Sequence, residues 1–177
     1  MGAAFFFVGF LFKVGAAPFH MWSPDVYQGA ATPVTAFMAA AVKIAAFGAL
    51  GRVVAVALGG MSGSWAPAVA LVAGFSMVIG NLGALAQTDL KRLLAFSSVA
   101  HAGYMLTGIV GMSIVGPSDP AKSLEALLFY VTTYAITNLG AFGVLIAIRR
   151  RGQEPSLTTD LTGLARRNPV LAAMLTI

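Results

Sequence analysis

Two lysines stand in stretches that are otherwise apolar enough to leave water. Lys43 lies within PVTAFMAAAVKIAAFGALGRVVAVAL, residues 33–58, and Lys13 lies thirty residues earlier, in GAAFFFVGFLFKVGAA. A stretch of the first kind is long enough to cross a hydrocarbon core of about 30 Å. Lys43 falls ten residues into it, hence ~15 Å deep at a helical rise of ~1.5 Å per residue. An ionised lysine at that depth costs on the order of 2.5–3.5 kcal/mol. Burial disfavours the charged form of an amine and a nearby carboxylate favours it, so such groups are suited to taking up and releasing protons. Two of them in a short chain point to a charge or proton pathway rather than a passive anchor. Two blander readings stay open. Lys13 can snorkel from a helix end to headgroups, and Lys43 can be half of a structural ion pair.

Further polar side chains recur at helical spacing. Ser97, His101, Tyr104 and Gly108 follow one another at i, i+4, i+7 and i+11, one face of a helix. Tyr130, Thr133, Tyr134, Thr137 and Asn138 make a second stripe. Polar groups inside a membrane face protein or water rather than lipid. They serve either a hydrated proton path, to which histidine is suited by its titration range, or interhelical hydrogen bonding that glues a bundle. Carboxylates are scarce, and all six lie in or beside loops. Asp25 is the most suggestive, as partner to a basic residue or as a structural cap. Asp89, beside Lys91 and Arg92, reads as an interfacial charge.

These residues need membrane helices to hold them. Apolar segments fall at about 2–17, 33–58, 67–87, 93–115 and 124–148, with the start of another at 169–177. The turn GGMSGSW precedes the third, the breaker run GPSDP closes the fourth, and Arg149–Arg151 ends the fifth. The connection 18–32, PFHMWSPDVYQGAAT, is rich in breakers and aromatics. Proline ends or kinks helices. Non-helical backbone at membrane depth is tolerated where it lines an enclosed or hydrated cavity. The connection is therefore a broken helix near Pro18 or an interfacial loop. Gly74, Gly80, Gly83 and Gly140 are expected to allow close helix packing.

With 58% hydrophobic and only 10% charged residues in 177, against roughly 25% charged in a soluble domain, the chain reads as an all-α polytopic transmembrane bundle. Residues 1–177 are expected to form a single membrane domain. The net charge of +5 is no nucleic-acid signal, because five of the eleven Lys and Arg lie between Arg149 and Arg167. The loops 88–92 and 149–168 together hold seven basic residues, and the positive-inside rule places both in the cytoplasm. No cysteine is present, so this chain alone builds no disulfide, thiolate zinc site or iron–sulfur cluster. No metal site is expected. The opening MGAAFFF has no positive n-region of a signal peptide. The chain stops at Ile177 inside the apolar run PVLAAMLTI, and we expect a piece of a larger protein.

FKVGAAPFHMWSPDVYQGAATPVTAF, AVKIAAFGAL, NLGALAQTDLKRLLAFSSVAHAGYML and FYVTTYAITNLGAFGV resemble, in order and spacing, the antiporter-like subunits of bacterial proton-pumping NADH-quinone oxidoreductase (respiratory complex I). The DVYQG wording is most similar to the subunit N branch, whereas subunits L and M and the Mrp antiporters look more like H-x-W-L-P-D-A. The equivalent subunit of the photosynthetic NDH complex is a close alternative. The resemblance implies a fold of about fourteen helices with inverted repeats, each holding a broken helix, of which this chain matches helices seven to eleven and the start of twelve. It implies that Lys13 and Lys43 carry protons and that His101 lies on the same polar axis. Pro18, His20, Asp25, Tyr130, Thr133, Tyr134, Thr137 and Asn138, read from the broken connection and the polar stripe, are expected to support them. It implies no cofactor in this chain, with NADH, FMN, iron–sulfur clusters and quinone in partner subunits. The expected partners are other complex I membrane subunits, the lipid bilayer and protons, in the bacterial inner (plasma) membrane. A stand-alone or Mrp-type cation/proton antiporter subunit is the alternative.

Overall fold

A computed structural model describes residues 2–114, 120–149 and 154–176. Nine α-helices are seen among them: α1 (Gly2–Val14), α2 (Trp22–Gly29), α3 (Thr32–Phe37), α4 (Lys43–Val53), α5 (Ser62–Leu85), α6 (Leu90–Ile114), α7 (Pro120–Ala147), α8 (Leu164–Arg167) and α9 (Pro169–Thr176). π-helical turns at Met38–Val42 and Val54–Leu58 join α3 to α4 and extend α4. Three helical stretches, 32–85, 90–114 and 122–147, are long and apolar enough to cross a membrane, and α1 is a shorter apolar helix.

The 54 residues from Thr32 to Leu85 would reach ~80 Å as one straight helix. They do not run straight. Leu58 (φ −111°) and Met61 (φ −112°) leave helical values on either side of a 3₁₀ turn, and the chain reverses there. Contacts show the directions. α1 runs parallel to α5, because Phe7 stacks on Trp65 and the Ala17 N–H reaches Ser76 Oγ. α5 runs antiparallel to α6, with Gly80 at Ala100 and Gly103 at Ala73. Residues 32–58 run parallel to α6, since Lys43 meets Ser98 and Gly51 lies near Ile109. α7 runs antiparallel to α6, with Gly108 at Leu127. The five long runs therefore alternate in direction.

Several boundaries differ from the expected ones. The first segment ends at Val14 rather than 17, because Gly15 takes φ 69° and closes the helix. Its N–H bonds Phe12 O at 3.1 Å and the Ala16 N–H bonds Leu11 O at 2.9 Å, a Schellman end that suits glycine. The third starts at Ser62, five residues before Pro67. Trp65 anchors the extra turn: its indole donates to Leu58 O at 3.0 Å and its ring stacks on Phe7 at 5.5 Å. The fourth begins at Leu90, capped by Asp89, whose Oδ1 accepts the Arg92 N–H at 2.9 Å. Asp89 is thus a helix cap as well as a charge. Pro120 opens the fifth, and the rest of the breaker run lies outside the described residues.

α5 and α6 approach most closely. A Cβ on Gly80 would lie 2.4 Å from Ala100 N, and one on Gly103 would lie 2.7 Å from Ala73 O. Small residues let helix backbones touch where lipid supplies no hydrophobic drive. Gly83 also packs tightly, on Phe96, but Gly74 and Gly140 face open space. Glycine spacing alone did not say which face of a helix meets a neighbour. The main core joins Phe47, Leu50, Leu106, Ile109, Val131 and their neighbours from α1, α4, α5, α6 and α7.

Candidate functional site: a buried basic and hydroxyl-bearing track

The break after α1 builds one wall. Between Val14 and Trp22 the chain is non-helical, and the Ala17–Pro18 bond is cis. Its freed backbone is satisfied by side chains. Ser76 Oγ, fully buried, accepts the Ala17 N–H at 2.9 Å, and the Trp22 indole donates to Phe12 O at 3.0 Å. Non-helical backbone enclosed by protein is affordable only when its polar groups are met in this way. His20 is buried there, edge-on to Phe96 with centroids 6.2 Å apart.

Lys43 is the centre. It opens α4 directly after the π-helical turn Met38–Val42 and is only 4% exposed. Its Nζ donates to Ser98 O and lies 5.1 Å from the centroid of the Tyr134 ring, a distance at which a ring face attracts a cation. Among the described residues no carboxylate pairs with it. Ser98 Oγ and Tyr27 Oη, both buried, share a hydrogen bond of 3.3 Å. On the other side the Tyr134 ring leans on His101 at 4.8 Å between centroids, and His101 Nδ1 and Tyr130 Oη share a hydrogen bond of 2.7 Å. Tyr104 meets the same imidazole edge-on at 5.6 Å, and Asn81 donates to Tyr104 Oη at 3.2 Å. The track thus draws on α2, α4, α5, α6 and α7.

Lys13 joins it through space. Lys13 and Lys43 line one cavity of about 360 Å³ with Trp22, Ser23, Tyr27 and Val42. At about 30 Å³ per water, that volume holds several. Lys13 itself is exposed, contrary to the enclosed position expected for it. α1 ends one residue later, so Lys13 stands at the rim of the break, in the last turn, where a helix favours cations.

The other expected residues divide. Tyr130 and Tyr134 face the track. Thr133 and Thr137 are exposed and donate to Phe129 O and Thr133 O of their own helix, and Asn138 donates to Tyr134 O. These bonds lie within one helix. Asp25 pairs with Arg92 at 2.5 Å rather than with either track lysine. Ser98 was missed. Its neighbour Ser97 fits the face drawn through His101, and only the parallel packing of 32–58 on α6 shows that the Ser98 carbonyl receives the amine.

Fold and track together describe an α-helical membrane protein with a buried amine–hydroxyl–imidazole row. The chain belongs to the NADH:quinone oxidoreductase/Mrp antiporter transmembrane family, whose model matches residues 1–177. Its relatives include NADH-quinone oxidoreductase subunit N of Parafrankia sp., 51% identical over 93% of this chain and 30% of that one. The Streptomyces griseus subunit N 3 is 48% identical over 100% and 31%, and the Mycobacterium tuberculosis subunit N is 46% identical over 99% and 33%. The chain therefore spans about a third of the length of these relatives. Among solved structures it is similar to respiratory complex I from Thermus thermophilus with bound aureothin (TM-score 0.72, 44% identity, 94% of this chain and 34% of that chain). It is also similar to the Mrp complex from Dietzia sp. (TM-score 0.80, 29% identity, 94% and 30%). Sequence identity thus favours the subunit N relatives over the Mrp antiporters.

Proposed function

We propose that this chain is part of a proton-translocating membrane subunit of NADH-quinone oxidoreductase, in which Lys13, Lys43 and His101 pass protons. The observation that carries the reading is the enclosed Lys43 amine, held by a carbonyl and a ring face and sharing a cavity with Lys13, with the Tyr134 ring touching both the amine and His101. An amine in that setting can release its proton toward the cavity and recover one from it. The hydroxyls of Tyr27, Ser98 and Tyr130 can relay protons by donating and accepting in turn. Lys13, at the rim, links the track to whatever polar group faces the break. The chemistry of this chain is proton movement. NADH oxidation by FMN and iron–sulfur clusters, and quinone reduction, belong to partner subunits, and their energy arrives as shifted charge near the lysines.

The five alternating runs cross the bacterial inner membrane in this reading. This reading assigns the basic 88–92 and 149–168 loops to the cytoplasmic side, and residues 88–90 and 156–158 lie together. Their contact supports it: the Leu90 N–H donates to Ser156 O at 2.7 Å and the Thr158 N–H to Thr88 O at 2.9 Å. The test is Lys13→Ala in the full-length parent within its complex. Proton translocation is expected to fall at least about ten-fold, as for loss of a proton-transfer group, with the complex still assembled. A normal translocation rate would end the role assigned to Lys13.

A further inference from the structure

One charged cluster lies outside the track yet touches α6 and α3, the helix that leads into the run carrying Lys43. After α7, residues 154–161 lie as a strap across the turn 87–90, held by the two backbone hydrogen bonds between 88–90 and 156–158. Asp160 stiffens the strap by accepting the Ser156 and Leu157 N–H groups at 3.0 and 2.9 Å. Glu154 leads into it. Its carboxylate accepts the hydroxyl of Thr32, the fully buried first residue of α3, and pairs with Lys91 Nζ at 3.6 Å. The side chains of Lys91 and Glu154 are 15% and 26% exposed, so solvent screens the pair only in part. Lys91 reaches back to Ala30 O at 3.0 Å, which ties the end of α2 to the same point.

We propose that Glu154 is a positioning residue that latches the strap onto α3 and α6 and so sets the spacing at which Lys43 meets Ser98. Thr32 opens the run that carries Lys43 eleven residues on, and Lys91 stands seven residues before Ser98 in α6. Both spans are helical, about 16 and 10 Å long at 1.5 Å per residue, so a slip at the latch is transmitted to the amine–carbonyl contact. The run 32–58 and α6 are parallel, and the latch joins them at their starts. The proposal rests on the proton-path reading of Lys43. The strap keeps its own backbone bonds without Glu154, so removing the carboxylate is expected to loosen the register and spare the fold.

The experiment uses the full-length parent in its assembled complex in membrane vesicles, reading assembled amount, electron-transfer rate and protons moved per electron. Glu154→Gln is expected to keep assembly and lower the proton ratio roughly five-fold, the size at which coupling residues act. Glu154→Asp should recover most of it. Thr32→Val should match Glu154→Gln, and the double variant should be no worse than either single one. An unchanged ratio in Glu154→Gln, or losses that multiply in the double variant, overturns the latch. Should Glu154→Gln fail to assemble, Thr32→Ser against Thr32→Val decides, and equal ratios overturn the proposal. Lys43→Met separates the two claims. If that change leaves pumping normal, the proton-path reading fails; if it stops pumping while the latch variants pump normally, the latch alone fails.

Discussion

Lys43→Met in the full-length parent is expected to lower proton translocation on the order of 10²-fold, the contribution typical of a positioned proton-transfer group. Methionine has similar length and no charge, and the site is already enclosed, so packing should survive. The informative comparison is Lys43→Arg. Arginine keeps the cation, can donate to Ser98 O and can lie over Tyr134, but a guanidinium does not give up its proton in a protein. A structural donor or cation would be rescued by arginine; a proton carrier would not. The expectation is that Lys43→Arg is as inactive as Lys43→Met, with both complexes assembled to normal levels. Acidification of inverted vesicles on adding NADH measures translocation, and native electrophoresis measures assembly. Arginine restoring most of the flux would leave Lys43 a structural role only.

The second large effect concerns packing. Gly103→Leu is expected to prevent α5 and α6 from closing. The added Cβ would meet Ala73 O at 2.7 Å and Met77 N at 2.9 Å, both backbone atoms that cannot swing aside. Overpacking in a close-fitted interior costs about 1–3 kcal/mol, and more where backbone has to move. α6 carries Ser98 and His101 on faces turned to Lys43 and Tyr130, so a displaced α6 shifts the track along with the interface. Gly74→Leu is the matched control, since nothing lies within 4 Å of a Cβ there. Assembled complex should fall severalfold for the first and stay near normal for the second, read as band intensity on native gels. Equal stability of the two variants would refute the packing account.

How the strap and the track relate explains why the polar loop 149–168 holds more than a topogenic charge. In the orientation proposed above its arginines lie on the cytoplasmic face, while Asp160 holds Ser156 and Leu157 and Glu154 holds Thr32 and Lys91. The same end of the bundle gathers Asp25, Arg92, Gln28 and Asp89: Arg92 bonds Asp25 and Gln28, and Gln28 bonds Asp89. The break after α1 is thereby tied to the start of α6. Asp25 belongs to this tie rather than to Lys13 or Lys43.

Much of the architecture was legible because the physics is local. Apolar length marks membrane helices, and the 33–58 and 124–148 runs were placed to within a few residues. The α1 end is equally legible in Gly15, one residue beyond the helix, although the apolar run continues to Ala17. Lys43 declared itself by type and depth. Which helix received its amine did not, because Ser97 and Ser98 differ by a rotation of about 100° that one sequence leaves unassigned. The tertiary fold settled that question. By packing 32–58 parallel on α6 it brought Ser98 O, Tyr134 and His101 around one amine, turned Thr133 and Thr137 outward, and set Glu154 against a threonine 122 positions away. Residue type and spacing specify what a side chain can do and how long its helix is. Partners distant in the chain are chosen only by the fit of helix faces, and that fit depends on every neighbour at once.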